Sequence, residues 1–254
     1  MSKTFDINCD MGEGFGVWSL ADDEALMKLI SSANIACGFH AGDPGIMRRT
    51  VELCLEHDVA IGSHPGFPDL LGFGRRKLAL RPDEAADYIT YQTGALKGFV
   101  DALGGRLHHV KAHGAFFALL RDDDSLAVAA ADAVARCGED VMVYWPAPAD
   151  GVAFCTELDR RGVRVVPEVY TDLEYTAEGR LIIEPRKQWT DPEYSESQVR
   201  RYLGEGTVGT AAGTGVSMAG CGSFCVHSDG PNAVEVATRV RETTMSLGVD
   251  IAAP

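Results

Sequence analysis

Seven short apolar runs recur along this chain, and most are followed by an amphipathic stretch long enough for a helix. The runs cover residues 4–9, 34–37, 60–62, 108–111, 141–144, 163–167 and 223–226. They are continuous rather than alternating, as in parallel strands covered by helices on their faces. Apolar spacing and end signals predict helices over residues 22–32, 45–57, 82–103, 125–137, 150–161, 196–203 and 231–247. Residues 170–195 read as irregular, and 204–222 as a glycine-rich tract.

This repetition admits a closed barrel or an open doubly wound sheet, and the polar residues decide between them. Asp10, His40, His64, Lys111 with His113, Glu168 and His227 follow six of the seven runs. In a β/α barrel such positions converge on one face, the catalytic one. In an open sheet, at a strand spacing near ~4.8 Å, they would spread along an edge about 30 Å wide. The expectation is one α/β domain over residues 1–254: a seven-stranded (β/α) barrel with its site at the C-terminal strand ends.

Composition narrows the function classes. With 23 basic and 37 acidic residues the formal net charge is -14, which disfavours nucleic acid and anionic membranes as partners. No run approaches the roughly 18 apolar residues of a membrane span. The first residues lead into a strand without a signal-like apolar region. The seven cysteines are scattered among apolar neighbours, as reduced core thiols are, and a cytoplasmic location is expected.

Four segments carry most of the chemistry. In the first, Asn8 and Asp10 share one strand face, and Gly12 and Gly14 let the following loop turn sharply beside Glu13. Asp10 can serve as a general base or a metal ligand. His40 and His64 sit just past their strands in glycine-rich loops. Arg75 and Arg76 are adjacent, so one is expected to bind a carboxylate and the other to face water. Lys111 and His113 share a strand face, where a Lys can hold an oxyanion or act as a base. Further on, Glu168, Asp172 and Glu174 can orient histidines, and His227 follows the last strand. The catalytic candidates are thus Asp10, His40, His64, Lys111 and His113. The substrate-binding candidates are Asn8, Glu13, Arg75, Arg76, Glu168 and His227. Asp10, His64 and His113 also form a plausible metal set. The formal GxGxxG match at residues 204–209 follows a helix rather than a strand, and no GxxxxGK[ST] phosphate loop exists, so the chain lacks that means of holding ATP.

These segments, at residues 8–14, 31–43, 61–70, 73–76, 91–96 and 109–114, resemble the LamB/YcsF family. The match continues more sparsely through residues 167–170, 179–181, 185–186 and 225–227. The resemblance implies a barrel of the glycoside hydrolase/deacetylase type. It implies work on 5-oxoproline, a cyclic amide opened to L-glutamate with ATP hydrolysis, alongside two partner proteins, the 5-oxoprolinase subunits B and C. The missing phosphate loop agrees with that division of labour. The chain departs from the family pattern at Ala112, Phe117, Ala118, Leu173 and Ser228, which bears on which lactam it accepts. Two other readings fit the residues: a hydrolase of another lactam or amide that uses a divalent metal without ATP, and a non-catalytic partner-binding module.

Overall fold

The computed structural model describes residues 3–148, 151–183, 186–218 and 220–254. Among these residues ten strands occur in chain order: β1 (Lys3–Met11), β2 (Ser32–Ala36), β3 (Ala60–His64), β4 (Leu107–Val110), β5 (Met142–Pro146), β6 (Val165–Tyr170), β7 (Thr207–Gly209), β8 (Gly215–Ser217), β9 (Ser223–Val226) and β10 (Val249–Ile251). Strands β1 to β6 and β9 pair in parallel, and β9 returns to pair with β1, so seven strands close a barrel. Strand β10 extends the start of β1 outside the ring, and β7 with β8 forms a separate antiparallel hairpin.

Among the described residues, eight α-helices cover the barrel: α1 (Asp23–Met27), α2 (Pro44–Glu56), α3 (Pro82–Ala102), α4 (Gly114–Asp122), α5 (Asp124–Ala135), α6 (Ala153–Arg160), α7 (Pro192–Glu205) and α8 (Ala233–Ser246). Their starts are chemically specified. Asp43 accepts from the Gly45 and Ile46 amides ahead of α2, and Pro stands at the start of α2, α3 and α7. None of the helices among the described residues is long and apolar enough to cross a membrane.

The β7–β8 hairpin in the glycine-rich tract and the terminal β10 were not expected from the sequence, and two helices differ from the expectation. The first helix stops at Met27, because Ser31 and Ser32 are claimed by the barrel: both hydroxyls donate to Asp6. Helix α4 was hidden in the sequence, since it begins directly at the site histidine His113 with no separate start signal. The expected helix start at Asp150 lies outside the described residues, and α6 begins at Ala153.

Alternation along each strand sorts the residues. On β1, Phe5, Ile7, Cys9 and Met11 join the apolar cluster under the helices, while Asp6, Asn8 and Asp10 meet other barrel strands. The interior is therefore a polar column rather than the usual packing of branched aliphatics. At its base Asp6 accepts from Ser31, Ser32 and Ser223, and Tyr144 bonds to Ser32. Above it lie Asn8, Asn34, His109 and Glu168, all fully buried. The His109 ring stacks on Tyr144 at 4.1 Å and donates to Asn34 Oδ1 at 2.7 Å. It fits because its ladder partner on β3 is Gly62, where a Cβ would run into the imidazole.

Gly62→Ala is accordingly expected to cost about 3 kcal/mol or more, since a rigid ring held by two partners must move; the chemical-unfolding midpoint reads it. A second expectation concerns Asp23, whose carboxylate accepts from the Gly12 amide below the site loop. Burial raises its pKa to about 6 from 3.8. The unfolded chain then loses this proton before the folded one does, so stability falls as pH rises from about 4 to about 6 and levels off above. The half-buried position limits the effect to roughly 1 kcal/mol. Asp23→Asn should remove that slope in thermal melts taken across this range.

Candidate functional site

At the C-terminal ends of the strands the column opens into a cavity of about 440 Å³, within the range of small-molecule sites. Its floor carries Asp10 from β1, His64 from β3, Lys111 and His113 after β4, and His227 after β9. Arg75 reaches it from the loop after β3. Phe117, Tyr170, Leu173, Ile182 and Trp189 supply apolar wall.

Lys111 is the centre of the floor. Its Nζ lies 3.0 Å from Asn8 Oδ1, 2.9 Å from Cys225 Sγ and 3.4 Å from both Asp10 Oδ1 and Glu168 Oε2. It also sits 5.1 Å above the Tyr170 ring. Burial alone would discharge this ammonium, but the neighbouring negative charges, Asp10 first, outweigh it and raise its pKa well above the ordinary range. Asp10 mirrors it: burial pushes its pKa up, while His64 and Lys111 pull it well below the usual carboxylate value. The site thus holds an ionised carboxylate and an ammonium side by side with little water around them. Asn34 donates to Asp10 Oδ1 at 2.9 Å and fixes its orientation.

A second group stands beside this pair. His64 Nε2 is 3.3 Å from Asp10 Oδ2 and 2.9 Å from His113 Nδ1. His113 stacks on His40 with centroids 3.8 Å apart, and His40 Nε2 lies 3.3 Å from Glu13 Oε1. Ser228 donates to the other Glu13 oxygen at 3.1 Å. Burial holds the His40 and His113 rings well below the usual histidine pKa. Burial, with Asp10 and Asp229 nearby, raises Glu13 well above the usual carboxylate range.

Of the catalytic and substrate-binding candidates, Asp10, His64, Lys111, His113, Arg75 and His227 line the cavity, as do the loop acids Asp172 and Glu174. Asn8, Glu168, Glu13, His40 and Arg76 do not. Asn8 and Glu168 lie beneath the floor, where Asn8 Nδ2 donates to Glu168 Oε2 at 2.8 Å and both brace Lys111. Glu13 and His40 stand behind His113, toward a smaller surface pocket that also includes Phe15, Trp18 and Leu71. Arg76 is a correction: it turns outward to Asp69 with its side chain 64% exposed, because its neighbour Arg75 takes the inward position. Arg75 there pairs with Asp229 at 2.8 Å and covers the Phe73 ring. The expected metal set is also revised. The ligand atoms that group within 4.8 Å of one another, among the described residues, belong to Glu13, His40, His64 and His113, whereas Asp10 is engaged by Lys111 and Asn34.

Sequence reasoning did not select Asn34, His109 or Lys187. Lys187 Nζ is 2.6 Å from Asp172 Oδ2, which also accepts from the His227 backbone amide at 2.9 Å. Burial opposes ionisation of Asp172, but Lys187 and His227 hold its pKa far below the usual range. Asp172 also meets His227 Nδ1 at 3.2 Å, the orienting role read for the loop acids. Lys187 comes from the irregular segment after β6, so this one ion pair ties the cavity's cover to its floor. Of residues 185–186, where the family match continues, Pro185 lies outside the described residues and Arg186 is exposed.

Asp172 and Lys187 side chains are 1% and 7% exposed, so removing one partner strands the other's charge. Asp172→Asn and Lys187→Ala should each lose about 3–5 kcal/mol, and the double variant clearly less than their sum. A double-mutant cycle by denaturant unfolding at neutral pH measures the coupling.

The profile of the LamB/YcsF family matches residues 5–254. The chain is 42% identical over 253 residues to the A subunit of a 5-oxoprolinase from Bacillus cytotoxicus, covering 99% of each. The fold superposes on a lactam utilization protein from Thermus thermophilus with a TM-score of 0.89 and 39% identity, over 99% of this chain and 100% of that one. A family 4 carbohydrate esterase from Streptomyces lividans shares the fold at a TM-score of 0.50 and 9% identity, covering 99% of this chain and 94% of that one.

Proposed function

This chain belongs to the LamB/YcsF family, and from that premise we propose that it is the barrel component of an ATP-dependent 5-oxoprolinase. It opens 5-oxoproline to L-glutamate in the cytoplasm, together with subunits B and C. The observation that carries this reading is the Asp10–Lys111 pair at the floor of a cavity sized for a small ring, in a chain aligned end to end with relatives of that name.

The chemistry asks for such a pair. A five-membered lactam is an unstrained, resonance-stabilised amide, and transfer of a phosphoryl group to its oxygen makes the ring carbon electrophilic. Water then adds to that carbon, the C–N bond breaks to leave an acyl phosphate on the opened chain, and a second water hydrolyses it to the carboxylate and phosphate. Asp10, ionised and fixed by Asn34, accepts the proton of the attacking water. Lys111 faces the oxygen that gains charge, in a dry site where a fixed ammonium acts strongly. Asp10 then returns that proton to the leaving nitrogen, with His64 3.3 Å away helping to hold the carboxylate in place. Arg75 meets the substrate carboxylate from the rim. The chain carries no phosphate loop, a feature that suits nucleotide binding by the partner subunits.

The departures from the family pattern set the fine specificity. Ala112, Phe117 and Leu173 line the cavity, so its wall is more apolar there, and Ser228 holds Glu13. Ala118 packs against the core instead. The chain co-expressed with its B and C partners should form glutamate from 5-oxoproline only when ATP is supplied. Asp10→Asn and Lys111→Met should each lower kcat by at least ~10²-fold in an assembled complex, while Arg76→Ala should leave it nearly unchanged. No glutamate from a folded, assembled complex would overturn the reading.

A further inference from the structure

The geometry points to a divalent transition-metal site built by His64, His113, Glu13 and His40 at the edge of the cavity floor. The outer nitrogens of two rings are committed. His64 Nδ1 lies 2.8 Å from the Lys111 carbonyl oxygen, and His113 Nε2 lies 2.8 Å from that of Phe73. A carbonyl only accepts, so each of these nitrogens carries its ring's hydrogen. In the neutral rings the inner nitrogens, His64 Nε2 and His113 Nδ1, are then bare lone pairs, and they face each other at 2.9 Å. Two acceptors at that distance repel unless an electropositive centre stands between or beside them.

An outer N–H on a backbone carbonyl with the lone pair turned inward is also how metal-bound imidazoles are oriented. Glu13 Oε1 is 3.8 Å from His113 Nδ1 and 3.3 Å from His40 Nε2. Four ligands about 2.0–2.2 Å from one tetrahedral ion stand about 3.3–3.6 Å apart. All four ligand atoms lie within 4.8 Å of one another, and the His40 ring, stacked parallel on His113, has to turn out of the stack for its lone pair to reach the same ion. The side chains of His40, Glu13, His64 and His113 are 0, 2, 2 and 3% exposed, which keeps competing water out. Close backbone fixes the rings: a Cβ on Gly74 would stand 2.7 Å from His40 Cβ and 2.8 Å from His113 Cδ2. Three imidazoles with one carboxylate favour an ion of the zinc or cobalt class over magnesium or calcium, which prefer oxygen.

A single proton shared between His64 and His113 would relieve the same repulsion, and titration separates the two. The full chain, treated with chelator and desalted, is titrated with Co²⁺, and with Zn²⁺ against a chromophoric chelator, without substrate, nucleotide or partner. We expect one equivalent to bind, with the strong visible absorption of four-coordinate Co²⁺. His64→Ala and His113→Ala should each weaken binding at least ~100-fold, and His57→Ala, outside the cluster, should not. Circular dichroism checks the fold of each variant, and His113→Gln replaces any alanine variant that fails to fold. A folded wild-type chain that binds no stoichiometric metal, or binding that survives loss of His64 and of His113, overturns the proposal. Because binding is read without turnover, either result leaves the lactam reading to be judged by its own assay.

Discussion

The structure depends on a buried ammonium. Lys111 comes after β4, yet it is held by Asn8 and Asp10 from β1, Glu168 from β6 and Cys225 from β9. Its partners therefore lie across the barrel, and opening the ring at any seam would leave unpaired charge in a dry interior. Burying one cation is expensive unless it is paired and hydrogen-bonded on several sides. Here the barrel wall supplies those sides, and the cation in turn fixes the register that places Asp10, His64 and His113 on one floor.

Much of this was legible in the sequence, for a physical reason. Parallel strands buried on both faces write themselves as apolar runs, and the polar residues that end them mark the catalytic face. What the sequence hid was pairing across the ring. Asp6 sits within an apolar run and looks like a surface residue, yet its partners are serines up to 217 positions away. His109 is indistinguishable from its neighbour His108 until Gly62 is known to face it. The choice between Arg75 and Arg76 rests on Asp229 and Asp69, which lie on different sides of one short loop. Lys187 falls in a segment with no periodicity at all, and only its contact with Asp172 reveals it.

Two chemistries meet at one end of the barrel. Asp10 and Lys111 present fixed opposite charges, whereas Glu13, His40, His64 and His113 form a cluster of unsaturated donors one side chain away. His64 belongs to both, since its Nε2 faces Asp10 as well as His113. The barrel gathers strand-end side chains here by architecture, and the residues filling the site decide the reaction.

The closing of the ring by β9 on β1 also governs how the chain reaches this state. Asp6 pairs with Ser223, so the last seam joins residues separated by nearly the whole chain. Until that seam forms, β1 and β6 both present open parallel edges, and Lys111 lacks Cys225. Contacts so distant come late, because their loop-closure entropy must be met first. A ribosome-bound chain that has made six of the seven strands thus carries an unfinished polar channel flanked by sticky strand edges, the form in which a barrel of this kind is most exposed to aggregation and in greatest need of chaperone protection.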